Sequence, residues 1–212
     1  MGQRHPFVAA IYDRCLAGEE RAYLAALREE LLSGARGVVV EVGAGTGLNF
    51  PHYRAGQVHT VEAVEPDPHM RRRSEWRARQ AAVPVQLHDG TAENLPFAAG
   101  HADTVVATLV VCSVDDPQRA IRELRRVLKP DGVLLFIEHV HSEQGLRAHI
   151  QNWVTPVWRR IAANCHVNRA SVQLLQQAGF DVQETCPVVG RGPWGNRIVA
   201  GSAHVATAPS AP

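Results

Sequence analysis

Short apolar runs alternate with stretches of helical periodicity along most of the chain. Val38, Val39 and Val40, followed by Glu41 and Val42, read as a strand covered on both faces. Residues 58–64, 83–88, 102–111 and 133–138 read as four more strands. An arginine-rich surface helix is predicted over 69–82. Another opens at Asp115-Asp116-Pro117, where the missing proline N–H costs nothing. It buries Ile121, Leu124 and Leu128 and stops at Lys129-Pro130-Asp131-Gly132. Five such alternations predict an α/β, doubly wound, mostly parallel sheet. Ligands bind such sheets at the C-terminal strand edge, where Gly43, Glu65, Asp89, Leu109 and Glu138 converge.

The flanks follow other patterns. Residues 7–32 read as helices, with Leu24, Leu27 and Leu31 at helical spacing and Arg28, Glu29 and Glu30 on the other face. Tyr12 is open to two readings, a packing aromatic or a lid residue over a ligand. After the fifth strand, Leu146, Ile150, Trp153, Val157 and Ile161 make a helical stripe, kinked at Pro156, that predicts a helical wall. A helix over 170–178 precedes two last strands, 180–188 and 196–205, read as a hairpin. The expected organisation is an N-terminal helical cap (1–36), a seven-stranded domain (37–205) and a flexible tail (206–212).

Composition narrows the function classes. The apolar fraction is 45% and the net charge +1, with cations dispersed among acidic neighbours. That gives no footprint for nucleic acid. Arg71-Arg72-Arg73, the one basic run, reads as a solvated helix face. Cys15, Cys112, Cys165 and Cys186 show no C-x-x-C pairing, which fits a reducing compartment. No apolar run is long enough for stable membrane insertion and no signal-peptide pattern opens the chain, so a cytoplasmic monomer or homodimer is expected.

The chemistry concentrates after the first strand. Gly43, Gly45 and Gly47 alternate, so the backbone can turn sharply and approach a ligand. A dinucleotide fingerprint needs its third glycine three residues after the second, where Leu48 stands. Glu65 ends the second strand about twenty residues beyond Gly43, the distance at which a carboxylate meets two ribose hydroxyls. EVGAGTG (41–47), VEPD (64–67), GTAENLPF (90–97) and LRRVLKPDG (124–132), in this order, resemble the type-11 group of class I S-adenosylmethionine-dependent methyltransferases. The resemblance covers about 7–205 and implies a Rossmann-like methyltransferase fold with S-adenosyl-L-methionine as cofactor and S-adenosyl-L-homocysteine as product.

It also implies site residues. Glu41, Gly43, Ala44 and Gly45 would adjoin the methionine part, with Asn49 near its carboxylate. Glu65 and Pro66 would lie at the ribose, Thr91, Ala92 and Glu93 at the adenine, and Thr108 and Leu109 at the ammonium. Tyr12 joins the cofactor set as the lid. Thr91 replaces a commonly acidic residue, leaving the adenine amino group to Asp89 or to backbone. ATLVVCSV (107–114), IEHV (137–140) and CHVNRASVQLL (165–175) are similar to the alkyl-thiol methyltransferases of the animal endoplasmic reticulum, whose N-terminal membrane anchor this chain is expected to lack.

The expected function is methyl transfer to a small, largely apolar acceptor, thiol sulfur first. Rivals are O-, N- or C-methylation of a quinol or secondary metabolite, and a cofactor-binding module without catalysis. A thiol needs little help from a base, whereas a phenol or alcohol needs one positioned. His139 and His166 are the catalytic candidates. His139 also reads as a structural histidine, and the 166–169 stretch either orients substrate or places Asn168 as a helix cap. No metal is expected, since His139-x-His141 has no third ligand at a sensible spacing. Cys112 and Cys165 read as small buried hydrophobes.

Overall fold

The computed structural model describes residues 23–141, 145–162, 164–189 and 197–206. Seven strands form one sheet: β1 (Gly37–Val42), β2 (Val58–Val64), β3 (Val85–His88), β4 (Ala102–Thr108), β5 (Leu128–Val140), β6 (Phe180–Val189) and β7 (Arg197–Val205). Their order is β3-β2-β1-β4-β5-β7-β6. The first five pair in parallel, and β7 runs antiparallel between β5 and β6. The expected doubly wound, mostly parallel seven-stranded sheet is what forms.

Alternation along β1 explains its position at the centre. Val40 and Val42 belong to one apolar cluster with Val105, Phe136, Ile121 and Leu124. Val39 belongs to another, with Val61, Val106, Ile137, Leu27 and Leu31. Both Val39 and Val40 are fully buried, so an uninterrupted valine run is the stable choice. Helix α1 (Ala25–Leu32) covers the second face and α3 (Pro117–Val127) the first. Helix α2 (Pro68–Gln80) starts where the Asp67 carboxylate accepts the His69 and Met70 N–H groups at 2.8 and 3.4 Å. Asp116 caps α3 by accepting the Arg119 N–H at 2.9 Å.

Several boundaries differ from the expected ones. Strand β4 stops at Thr108 rather than residue 111, because Leu109 takes a left-handed φ of 60° that no strand tolerates. Strand β5 begins at Leu128, so Leu128 to Gly132 form its irregular start rather than a helix end. The register shift between Ala102 and Thr104 absorbs these residues, and Lys129 Nζ meets Asp103 Oδ1 at 2.6 Å.

Helix α4 (Gly145–Ile161) runs through Pro156 unbroken. Three residues of its apolar stripe face outward: Trp153 is 86% exposed, Leu146 76% and Val157 61%. The buried side carries Gln151 and Thr155 instead, with Gln151 Nε2 donating to the Val140 carbonyl at 3.3 Å. Helix α5 (Ser171–Gln177) is preceded by Ala170 with no side-chain cap, and Asn168 donates to Asn152 Oδ1 at 2.8 Å, so Asn168 is not a cap. Arg28, expected on the outer face of α1, is buried. Among the described residues no helix is long and apolar enough to cross a membrane.

Candidate active site

The glycine loop leaves β1 with Gly43, Gly45 and Gly47 at φ 66°, 56° and 81°. Two of these glycines have separable roles. A Cβ on Gly43 would lie 2.7 Å from Val110 Cγ2, so that position is needed for packing. A Cβ on Gly45 would meet nothing within 4 Å, so its backbone faces open space that a ligand can fill.

Glu65 joins this loop to the end of β2. Its Oε2 accepts the Gly45 N–H at 2.8 Å and its Oε1 the Asp67 N–H at 2.9 Å. Burial raises the Glu65 pKa, and the Asp67 and Gly45 N–H groups oppose the rise. Arg71 donates to the Glu65 carbonyl and pairs with Asp89 at 3.3 Å.

A cleft at the loop is lined by Gly43, Ala44, Gly45, Asn49, Thr108 and Arg28. Its polar floor is one connected network. Arg28 donates to Asn49 Oδ1 at 2.7 Å and to Thr108 Oγ1 at 3.2 Å. Asn49 Nδ2 donates to Thr108 Oγ1 and to Glu41 Oε1, at 3.0 and 3.1 Å. Tyr53 donates to Glu41 Oε2 at 2.6 Å. Burial pushes the Glu41 pKa up to about 7, against the Tyr53 and Asn49 hydrogen bonds and the Arg28 charge. Glycine-loop backbone and a guanidinium on one side, with a carboxylate on the next strand, fit a nucleoside carrying an amino-acid tail.

Residues 40–136 match the family described as "Methyltransferase domain". Human "Thiol S-methyltransferase TMT1A" is 30% identical over 181 residues, which is 80% of this chain and 70% of that protein.

The chain belongs to the class I S-adenosylmethionine-dependent methyltransferases.

It is also 35% identical to rat "Thiol S-methyltransferase TMT1B" over 148 residues, or 67% of this chain. The match spans only 59% of the rat protein's length. Among solved structures, geranyl diphosphate C-methyltransferase from Streptomyces coelicolor, with S-adenosyl-L-homocysteine bound, superposes with a TM-score of 0.67 at 18% identity. That likeness covers 92% of this chain and 83% of the other and concerns the fold.

Pro66, Thr91, Ala92 and Glu93 lie on the loops after β2 and β3, at the same sheet edge as the cleft. Glu93 Oε1 accepts N–H groups of Asp115 and Asp116 at 3.2 and 3.4 Å, tying this loop to the start of α3. Leu109, adjoining Thr108, donates its N–H to the Ile137 carbonyl at 2.6 Å. Asp89 is exposed and paired with Arg71. Tyr12 lies outside the described residues.

His139 and His166 do not line the cleft. The His139 Nδ1 lies 3.4 Å from Cys165 Sγ and 3.8 Å from Cys112 Sγ. His166 Nδ1 lies 3.2 Å from the Cys112 carbonyl and 3.1 Å from Arg169, and burial together with Arg169 and Arg159 lowers its pKa. Arg169 donates to the carbonyls of Val111 and Val114 at 2.6 and 2.8 Å. Glu138, fully buried, accepts the N–H groups of Val110, Val111 and Cys112 at 3.0, 2.7 and 2.9 Å. Glu138 and Arg169 thus fix the loop after β4 from opposite ends of its peptide dipoles.

Proposed function

We propose that this methyltransferase acts on a small, largely apolar acceptor whose sulfur, as a thiolate, takes the methyl group. The observation that carries the reading is the 30–36% identity to mammalian proteins named as thiol S-methyltransferases. S-adenosylmethionine supplies an already activated methyl, so the protein's task is alignment rather than activation. In the proposed arrangement Arg28 and Asn49 hold the amino-acid tail, Glu65 takes the ribose hydroxyls, and Thr91 to Glu93 border the adenine. The loop carrying Thr108 and Leu109 then sets the ammonium and with it the direction of the reacting bond.

Holding nucleophile and methyl about 3–3.5 Å apart and in line lowers the barrier by several kcal/mol. An anionic sulfur loses charge as the S–C bond forms, so a dry acceptor site favours the reaction. A thiol is already a few per cent ionised at neutral pH, which suits a site whose two candidate histidines are engaged elsewhere. The test is incubation of the purified chain with methyl-labelled cofactor and a panel of alkyl thiols, phenols and amines. Label transfer to thiols above the other acceptors is the expected result. Turnover of phenols or amines with none of any thiol would overturn the sulfur assignment, and no turnover with normal cofactor affinity would point to a binding module.

A further inference from the structure

The loop after β4, the end of β5 and the segment after α4 bring Cys112, His139 and Cys165 together. We propose that these three side chains form a binding site for a thiophilic divalent cation, zinc fitting best. The Sγ atoms lie 3.7 Å apart, and His139 Nδ1 lies 3.8 and 3.4 Å from them. A tetrahedral zinc, with Zn–S near 2.3 Å and Zn–N near 2.0–2.1 Å, requires edges of about 3.8 Å between sulfurs and about 3.5 Å between sulfur and nitrogen. The observed triangle has those dimensions. It does not have those of a disulfide, whose sulfurs stand about 2.05 Å apart.

The site is built rather than incidental. All three residues are buried, at 0%, 6% and 6% exposure. Val167, Leu109 and Trp158 pack around the thiols. The loops that carry the donors are fixed by bonds of their own: Glu138 and Arg169 hold residues 110–114, and the His166 N–H donates to the Cys112 carbonyl at 2.8 Å. The donors therefore converge without needing the ion to gather them. Two thiolates and a neutral imidazole balance a divalent charge, and binding releases the thiol protons to solvent. Three protein donors leave a fourth tetrahedral position for an exogenous ligand. Trp158, which packs against this cluster, has a buried indole N–H with no hydrogen-bond partner among the described residues.

The experiment measures metal content and does not depend on the thiol reading. The full chain, purified without a polyhistidine tag from zinc-supplemented medium and desalted, is assayed for zinc by mass spectrometry. It is then exchanged with cobalt(II) for absorption spectroscopy. About one zinc per chain and an intense thiolate-to-cobalt charge-transfer band are expected. Cys112→Ser and His139→Ala should each retain less than a tenth as much zinc. Should either variant fail to fold, titration of the unaltered protein with a mercurial takes its place, and release of zinc in step with thiol blocking is expected. Wild-type protein that retains under a tenth of an equivalent, or whose zinc survives both substitutions, would overturn the proposal. Calorimetric binding of S-adenosyl-L-homocysteine to the same samples reports the cofactor site separately.

Discussion

Glu41 offers the sharpest test of the buried network beneath the cleft. Its carboxyl is 1% exposed and its pKa rises from 4.5 to about 7, chiefly through burial. Between those values the folded chain binds more protons than the unfolded chain, so stability falls as pH rises. The contribution is complete below pH 4.5 and lost above pH 7. At 1.36 kcal/mol per pH unit the full span is worth about 3 kcal/mol, most of which falls between pH 5 and 8. Glu41→Gln keeps the shape, with the amide oxygen accepting from Asn49 and the amide nitrogen donating to the Tyr53 oxygen, and it carries no titrating proton. Urea unfolding of both proteins at pH 5 and 8 isolates this group from the other carboxyls. On going from pH 5 to pH 8 the stability difference between the two should move by about 2–3 kcal/mol in favour of the glutamine variant. A difference that stays constant across this range would refute the placement of an unmatched proton at Glu41.

Three other outcomes test the site. Arg28→Met should weaken binding of S-adenosyl-L-homocysteine about tenfold, roughly 1.4 kcal/mol, while leaving 5′-methylthioadenosine, which lacks the carboxylate, unchanged by calorimetry. Glu65→Ala should weaken both ligands at least tenfold, because each carries the ribose. Gly43→Ala, which combines a φ of 66° with a 2.7 Å approach to Val110, should cost about 2–3 kcal/mol in urea unfolding. The accompanying Val110→Ala change should recover the contact part but not the backbone part of that loss.

Where chemistry and chain neighbours coincide, the sequence was informative. The valine run, the glycines and the carboxylate ending β2 are each short and local, and the structure joins them through the Gly45–Glu65 hydrogen bond. Arg28 carries no such mark, because a cation between leucines on an amphipathic helix looks like a solvated residue until the partner surface is known. Helix α4 shows the converse. Periodicity identifies an apolar face but says nothing about which face the sheet will cover, and here Gln151 and Thr155 turn inward while Trp153 turns out. The two cysteines around His139 lie 27 and 26 positions from it, far beyond any metal spacing that a linear reading can weigh. Leu109 gave no warning of its left-handed backbone, since glycine or asparagine would be the usual residue there.

The strand order has a consequence for how the polypeptide matures. Because β7 separates β5 from β6, the side of β5 away from β4 stays open until residues 197–205 have left the ribosome. Up to that moment a nascent chain displays a long, greasy, unpaired ribbon to its surroundings, and β6 has nowhere to dock. Synthesis that stalls or ends before residue 197 would therefore yield a sticky, half-closed sheet rather than a slightly shorter enzyme.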